Sequence, residues 1–341
     1  MKIVAVRLAR LFGGAVLWLG LTFSINTSTF AEIGRPNPEL GPTPVEVMIF
    51  LSDVDDVDGA NQNFEANVFF KIRWHDPRLV HEDLDGISRP MGEIWHPRIQ
   101  LFNQQKVWKT FPDVIEISSN GDAIYRQRVW GSFSQPLELS DFPFDQQVFE
   151  IQLVATGYTS EKVELVVDPR SQIAERFSLP DWNIVDWKVE SRSIQVLPGE
   201  AKTAAVTFSF EATRRIGYFI GKVIVPLILI VAMSWVVFWI DPKDAGSQIG
   251  VAITAMLTLI AYRFAMGSNL PMVDYMTRLD LFILGSSLLI FASLVEVIIT
   301  SSFAKSDRLF EAREIDMWCR WLFPLAFVLI ALETLVFRLV L

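Results

Sequence analysis

Four apolar segments near the end of this 341-residue chain constrain its fold more than any other feature. They cover residues 216–240, 247–266, 279–301 and 318–340. About 20 apolar residues in helical conformation cross the hydrocarbon core of a bilayer. The pattern predicts an all-α bundle of four transmembrane helices over residues 214–341.

The second apolar segment differs from the other three because polar side chains interrupt it. Those side chains are Gln248, Thr254, Thr258 and Arg263. Inside a membrane such groups must face protein or water. One polar helix among three apolar ones is typical of a pore lining. The alternative is a buried bundle helix whose hydroxyl groups are hydrogen-bonded within the protein.

Residues 1–31 have the pattern of a secretory signal peptide. Lys2, Arg7 and Arg10 precede an apolar run, and small polar residues lead to Ala31. We predict that this segment is removed on export. The alternative is an uncleaved N-terminal anchor.

Export would place residues 32–213 outside the cytoplasm. The loops after spans one and three would then be cytoplasmic, and their basic residues fit the positive-inside rule. These basic residues are Lys243, Lys305, Arg308 and Arg313. We therefore predict a multi-pass protein of the cell inner membrane.

Short runs of alternating apolar and polar residues, separated by turn residues, fill the segment 32–213. The clearest runs cover residues 45–51, 64–74, 123–133, 148–154, 162–167 and 204–210. This spacing predicts an all-β, immunoglobulin-like sandwich of about eight to ten strands. The segment holds 29 acidic and 16 basic residues, a net charge of −13. An acidic domain of this kind repels nucleic acid and attracts cations.

Motifs for catalysis and for metal binding are missing from the sequence. No nucleophile elbow, zinc-protease motif, P-loop or dinucleotide fingerprint is present. The acids of residues 52–59 miss the calcium-loop spacing, and Cys319 is the only cysteine. We predict that the protein is not an enzyme and has no cofactor and no metal site.

Several motifs, in order along the chain, resemble those of the pentameric ligand-gated ion channels, the Cys-loop receptor superfamily, and most closely its prokaryotic branch. They are WHDPRL at 74–79, IWHP at 94–97, DFPFD at 141–145, Arg214, Pro226, the pairs Ser234-Trp235 and Phe238-Trp239, and NLP at 269–271. No cysteines bracket the DFPFD loop, and only about 15 residues join spans three and four. Both departures fit the prokaryotic branch.

The resemblance implies a homopentamer, in which each subunit has four identical partners, opened by a small-molecule agonist or by protons and conducting monovalent ions across the lipid membrane. It places the DFPFD loop at the base of the β domain. Phe142, Pro143 and Phe144 would pack on the loop of Asn269 and Pro271. Asp145 would pair with Arg214, and Asp55 or Asp56 would join the pair. The alternative to a gating interface is static packing between domains.

One face of the second span collects small and apolar residues. Gly250, Thr254, Leu257, Ala261 and Phe264 follow one another at spacings of 4, 3, 4 and 3, which places them on one side of a helix. In a fivefold ring the last three would form apolar constrictions that gate by dewetting. The alternative is that this stripe is core packing.

Ion selectivity depends on the residues before this span. Gly246 and Ser247 stand where relatives carry a glutamate ring or a Pro-Ala signature, and Asp244 is the nearest acid. A ring of Asp244 together with the acidic outer domain favours cations. An anion-selective channel of the same family, or a non-conducting membrane-anchored binding protein, is the alternative.

The resemblance places an agonist between adjacent β domains. The candidate ligand-binding residues are Trp95, Tyr125, Arg126, Arg128 and Tyr158. Residues 191–202 hold no aromatic side chain, which argues against an amine held by cation–π contacts. Arg126 and Arg128 suit an anionic ligand or are exposed strand charges. Trp95 also fits a core position, as do Trp74 and Trp182. The candidate proton sensors are His75, His81 and His96.

Overall fold

The computed structural model describes residues 34–267 and 273–337. A β-sandwich of twelve strands is followed by four helices that are long and apolar enough to cross a membrane. The predicted fold class is therefore confirmed. The predicted signal peptide at 1–31 lies outside the described residues and remains a prediction.

Two sheets form the sandwich. The strands are β1 Thr43–Asp58, β2 Asn63–His75, β3 Ile87–Pro90, β4 Ile99–Leu101, β5 Gln104–Lys109, β6 Val114–Ile117, β7 Asp122–Ser134, β8 Gln146–Thr159, β9 Val163–Val167, β10 Gln172–Ile173, β11 Trp182–Ile194 and β12 Thr203–Arg214. The larger sheet has eight strands in the order β10-β1-β2-β7-β6-β3, with β5 paired to β7 and β9 paired to β1. The smaller sheet has four strands in the order β11-β12-β8-β4.

Alternation of side chains explains why the long strands form where they do. Val45, Val47, Ile49 and Leu51 of β1 are fully buried between the sheets, while the residues between them face outward. This period of two buries one face of a strand and leaves the other polar. The six predicted runs correspond to β1, β2, β7, β8, β9 and β12.

The prediction of eight to ten strands was too low, because twelve strands lie in the described part of the chain. The additional strands are short or solvent-facing. β10 has two residues and β4 has three, too few to show a period. β11 is an edge strand with mostly exposed side chains, so its sequence carries no apolar alternation.

Four helices follow: α1 Gly217–Trp239, α2 Ala245–Met266, α3 Arg278–Lys305 and α4 Leu309–Phe337. The first is irregular: π-helical turns cover Ile220–Ile224 just before Pro226, and Val236–Trp239 is a 3₁₀ turn. Proline removes a backbone donor and disturbs the regular ladder at such points.

The predicted start of the fourth span at 318 was wrong. The helix begins at Leu309, and residues 306–308 alone connect it to α3, in place of the expected 15 or so. Lys305 and Arg313 therefore lie in helices rather than in a loop. Glu311, Arg313 and Glu314 lower the local hydropathy, but they continue the helix because they are at least partly exposed. Asp316 also lowers the hydropathy, although this residue is buried.

Candidate functional site

The loop of residues 139–145 lies at the junction between the sandwich and the helices. Phe142 is buried, and its ring lies 4.8 Å from that of Phe219 in α1. The carbonyl of Phe142 accepts a hydrogen bond from the backbone N–H of Leu279 at 3.2 Å. The loop therefore fills the space between the starts of α1 and α3.

The predicted ion pair between Asp145 and Arg214 is present. Nε and Nη2 of Arg214 donate to the two carboxylate oxygens of Asp145 at 2.7 and 3.0 Å. The guanidinium lies 4.1 Å from the ring centre of Trp182 and 4.8 Å from that of Phe142. Gln147 donates a further bond to Asp145 at 3.1 Å. This buried, bidentate pair fixes the end of β12 just before α1 begins.

Asp55 does not join this pair, contrary to the prediction. Its carboxylate accepts a hydrogen bond at 3.0 Å from the indole of Trp130 on β7. Asp56, the other candidate, is exposed. Both belong to β1, which continues to Asp58, so the acids at 55 and 56 lie within a strand rather than in the turn that follows.

The predicted partner loop of Asn269 and Pro271 lies outside the described residues. The described contacts of the junction loop are with the segment that follows. The hydroxyl of Tyr275 accepts from the backbone N–H of Leu139 at 2.8 Å, and Arg278 forms an ion pair with Asp141 at 2.9 Å. Neither contact was predicted from the sequence, which shows only that Arg278 stands at the start of an apolar segment and Asp141 in the acidic DFPFD loop.

The five predicted pore-facing residues of α2 are all exposed in the single chain. Leu257 is 61% exposed and Phe264 is 83% exposed. The opposite face is buried against the other helices through Gln248, Ala252, Ala255 and Leu259. The exposed stripe is thus not core packing within one subunit, and it is available to face other copies, lipid or water.

Asp244 is the N-cap of α2. Its side chain accepts a hydrogen bond from the backbone N–H of Ser247 at 3.2 Å. The bonds from the Ser247 side chain and backbone hold the pKa of Asp244 below its usual value, so the carboxylate is negative at neutral pH. Gly246 and Ser247 are exposed in the first helical turn.

Trp95 and Tyr158, two of the ligand-binding candidates, are brought together. The indole N–H of Trp95 donates to the Tyr158 hydroxyl at 2.9 Å, and the rings lie 5.8 Å apart. Trp95 is 2% exposed and packs on Trp74, so it supports the site rather than lining it. The guanidinium of Arg98 lies 5.7 Å from the ring centre of Tyr158.

A cavity of about 620 Å³ opens beside this cluster. Its wall includes aromatic side chains, among them Trp74 and Tyr125, and three basic or titratable ones, Arg98, Lys109 and His96. No Asp or Glu belongs to the described lining. Burial first, and then the charge of Arg98, lower the pKa of His96, so it is neutral at pH 7.

The other three candidates lie along β7 and divide between its two faces. Tyr125 faces the cavity and donates to Asp113 at 2.6 Å, and burial, followed by this bond, raises the pKa of Tyr125. Arg126 and Arg128 face the other way. Arg126 is paired with Glu116, and Arg128 donates to Asn67 at 3.0 Å. The two arginines are therefore strand charges with partners on their own sheet.

Among residues 34–267 and 273–337, no group of three or more His, Cys, Asp or Glu side chains is arranged to hold a metal ion. Within the 52–59 segment, the Asp53 carboxylate accepts from Ser178, and that of Asp58 from the backbone of Ala60 and Asn61. These hydrogen bonds join β1 to Ser178 and stabilise the turn that follows β1.

Two family comparisons agree with this architecture. The sequence model of the neurotransmitter-gated ion-channel ligand binding domain matches residues 25–216. The model of the neurotransmitter-gated ion-channel transmembrane region matches residues 223–308. The chain belongs to the neurotransmitter-gated ion-channel family, within the Cys-loop superfamily of pentameric channels. It is a multi-pass membrane receptor with its N-terminal domain outside, and its family is a class of multi-subunit ion channels rather than of enzymes.

Proposed function

We propose that the chain forms a homopentameric, agonist-gated, cation-selective channel of the prokaryotic kind in the inner membrane, after removal of residues 1–31. The observation that carries this proposal is the exposed stripe of α2 from Gly250 to Phe264, which begins just after a negatively charged N-cap. Five copies of that stripe around an axis make a pore that is small and polar at its inner end and apolar at its outer end.

Cation selectivity is supported by charge. Five copies of Asp244 place a ring of carboxylates at the inner mouth, with Gly246 and Ser247 leaving the mouth open. The outer domain adds a net charge of −13 per subunit. Both fields concentrate cations along the path.

Asp244→Asn is expected to lower the cation-to-anion permeability ratio by about two- to tenfold, because it removes the ring of charge. Asparagine is as good an N-cap as aspartate, so the start of α2 is preserved. The measurement is the reversal potential under a NaCl gradient. Asp307→Asn, an exposed acid between α3 and α4, is the matched control. Wild-type reversal at the chloride potential would instead establish the anion-selective alternative.

The agonist that best fits the outer domain is a small molecule with an anionic group and an apolar body. Arg98 supports this because no described residue gives its guanidinium an ion pair or hydrogen bond, although it lies over Tyr158 and borders the cavity. The lining of the cavity lacks carboxylates and includes several aromatic rings. An amine would meet like charge at Arg98. Lys109 is already paired with Asp113 at 2.9 Å.

Arg98→Gln is expected to raise the carboxylate concentration needed for half-maximal current about tenfold to a hundredfold. A charge-assisted hydrogen bond contributes about 1.5–3 kcal/mol, and each 1.4 kcal/mol is a factor of about ten. The measurement is a dose–response series over small carboxylates and amines. Arg126→Gln, whose guanidinium is already paired with Glu116, should leave the response unchanged. A response to amines that is insensitive to Arg98 would contradict this assignment.

Gating is proposed to pass through the junction loop. Movement of the sandwich would carry Phe142, Phe144 and Asp145 relative to α1 and α3, and α2 would tilt in response. The loop of Asn269 and Pro271 is the proposed receiver on the pore side. The support for this route is the set of direct contacts that join the loop to Phe219, Tyr275 and Arg278.

A further inference from the structure

Two acidic side chains lie buried within the bundle near its inner end. Glu296 of α3 is 7% exposed and Asp316 of α4 is 1% exposed, and their carboxyl groups contact each other. Val237, Phe238, Ala252, Val297, Cys319 and Phe323 form an apolar cluster in the same region. We call Glu296 and Asp316 the carboxyl pair. Neither residue belongs to the exposed stripe of α2 or to the junction loop.

None of the four oxygens of the carboxyl pair accepts a hydrogen bond from a residue that the structure describes. A fifth acceptor in this region, Oε1 of Gln248, is also without a partner, although Gln248 is fully buried and contacts Asp316. The amide nitrogen of Gln248 is already committed to the carbonyls of Val237 and Ile240, at 3.2 and 3.1 Å. These five acceptors are therefore without a hydrogen bond from the described residues.

The charged groups around the pair have other partners. Arg320 acts electrostatically on Asp316, but its Nε donates to the carbonyl of Phe238 at 2.9 Å. Arg313 is paired with Asp241 at 2.8 Å. The backbone N–H of Lys243 and the side chain of Arg313 lower the pKa of Asp241, so this acid remains ionised. The thiol of Cys319 also faces the pair.

We propose that the carboxyl pair is a proton-binding site that joins α3 and α4 beside the first turns of the pore helix. Two adjacent carboxylates cannot both be ionised in a buried site without a large cost. One proton removes this repulsion and supplies the missing donor. Because Arg320 lies on the Asp316 side, the proton resides on Glu296, and the protonated carboxyl donates to Asp316.

The site responds to the pH of the inner compartment. Loss of the proton places two negative charges side by side, which separates α3 from α4 and frees Gln248 at the start of α2. Its effect on ionic current depends on the proposed function. The binding of the proton does not, so it is tested without conduction.

The first test is infrared spectroscopy of the purified full chain in lipid. Wild-type protein is expected to show the C=O band of a protonated carboxyl group at about pH 7, where free carboxyl groups are ionised. Glu296→Gln should abolish this band. Glu314→Gln, which changes an exposed acid on α4, should retain it. Absence of the band from wild-type protein, or its persistence in Glu296→Gln, would overturn the proposal.

The second test is the thermal midpoint of the same samples between about pH 5 and pH 9. The folded bundle keeps a proton that an unfolded chain releases near pH 4, so wild-type stability should fall as the pH rises. Glu296→Gln replaces the protonated carboxyl by a neutral amide that still donates to Asp316. This variant should fold, and the decrease of its thermal midpoint across this pH range should be about 2–4 °C smaller than that of the wild type. An unchanged slope would contradict a proton held at this site.

Discussion

Leu257→Ser is expected to produce a current in the absence of any agonist. Leu257 lies in the middle of the exposed stripe of α2. In the proposed pentamer, five copies of this leucine would close the pore by excluding water. Replacement of leucine by serine removes about 2 kcal/mol of the free energy that keeps each apolar side chain away from water, and each subunit repeats the change. The resting current should therefore rise at least about tenfold, since a factor of ten requires only 1.4 kcal/mol.

Voltage-clamp recording in oocytes, with surface expression measured in parallel, checks this expectation. Leu288→Ser is the matched control, because Leu288 is a leucine of α3 with 60% exposure, close to the 61% of Leu257. The control should leave the resting current at its wild-type level. A Leu257→Ser protein that reaches the surface and stays closed would favour the non-conducting binding protein over the channel.

Loss of either partner of the buried ion pair at the junction should have the largest effect on stability. Arg214→Gln leaves the Asp145 carboxylate, which is 1% exposed, without its counter-charge. Removal of one partner from a buried pair costs about 3–5 kcal/mol. The arginine also stacks between Trp182 and Phe142, so its loss opens a gap between β12 and the start of α1. We expect little folded protein at the surface.

The double variant Asp145→Asn with Arg214→Gln should recover part of this loss, because it leaves no unpaired buried charge. Size-exclusion profiles and thermal midpoints of the purified proteins measure the recovery. Glu190→Gln, which breaks the ion pair of Glu190 with Arg192, provides the comparison for a surface pair, since those side chains are 39% and 44% exposed. A surface pair contributes about 0–1 kcal/mol. Equal losses of stability at the two pairs would mean that the buried junction pair contributes no more to folding than a surface pair.

The sequence predicted the order of domains and the positions of the first three transmembrane helices because hydrophobicity over long segments is a local property. It failed where the decisive information was not local. Charges at 309–317 concealed the start of α4, which is set by its packing along α3. The short strands β4 and β10 exist because neighbouring strands complete their hydrogen bonds, which a run of three or two residues does not reveal.

The candidate site shows the same difference between local and non-local information. The pairing of Asp145 with Arg214 was predicted because both residues belong to recognisable motifs. The partner of Asp55 was not, since the hydrogen bond from Trp130 joins residues 75 positions apart. Arg98 was overlooked in favour of Arg126 and Arg128, because a sequence does not show which arginines already have partners. The carboxyl pair likewise depends on two helices facing each other.

Cys319 is the only cysteine of the chain, and it is only 8% exposed in the bundle. A maleimide or methanethiosulfonate reagent should therefore modify the unaltered protein slowly. A cysteine introduced at Phe264, or at another exposed position, would be the one readily labelled thiol in each subunit. Spin labels or fluorophores could then be attached without first removing native thiols. In an assembly of five copies, the spectra would report how far the labelled helices separate when the protein changes state.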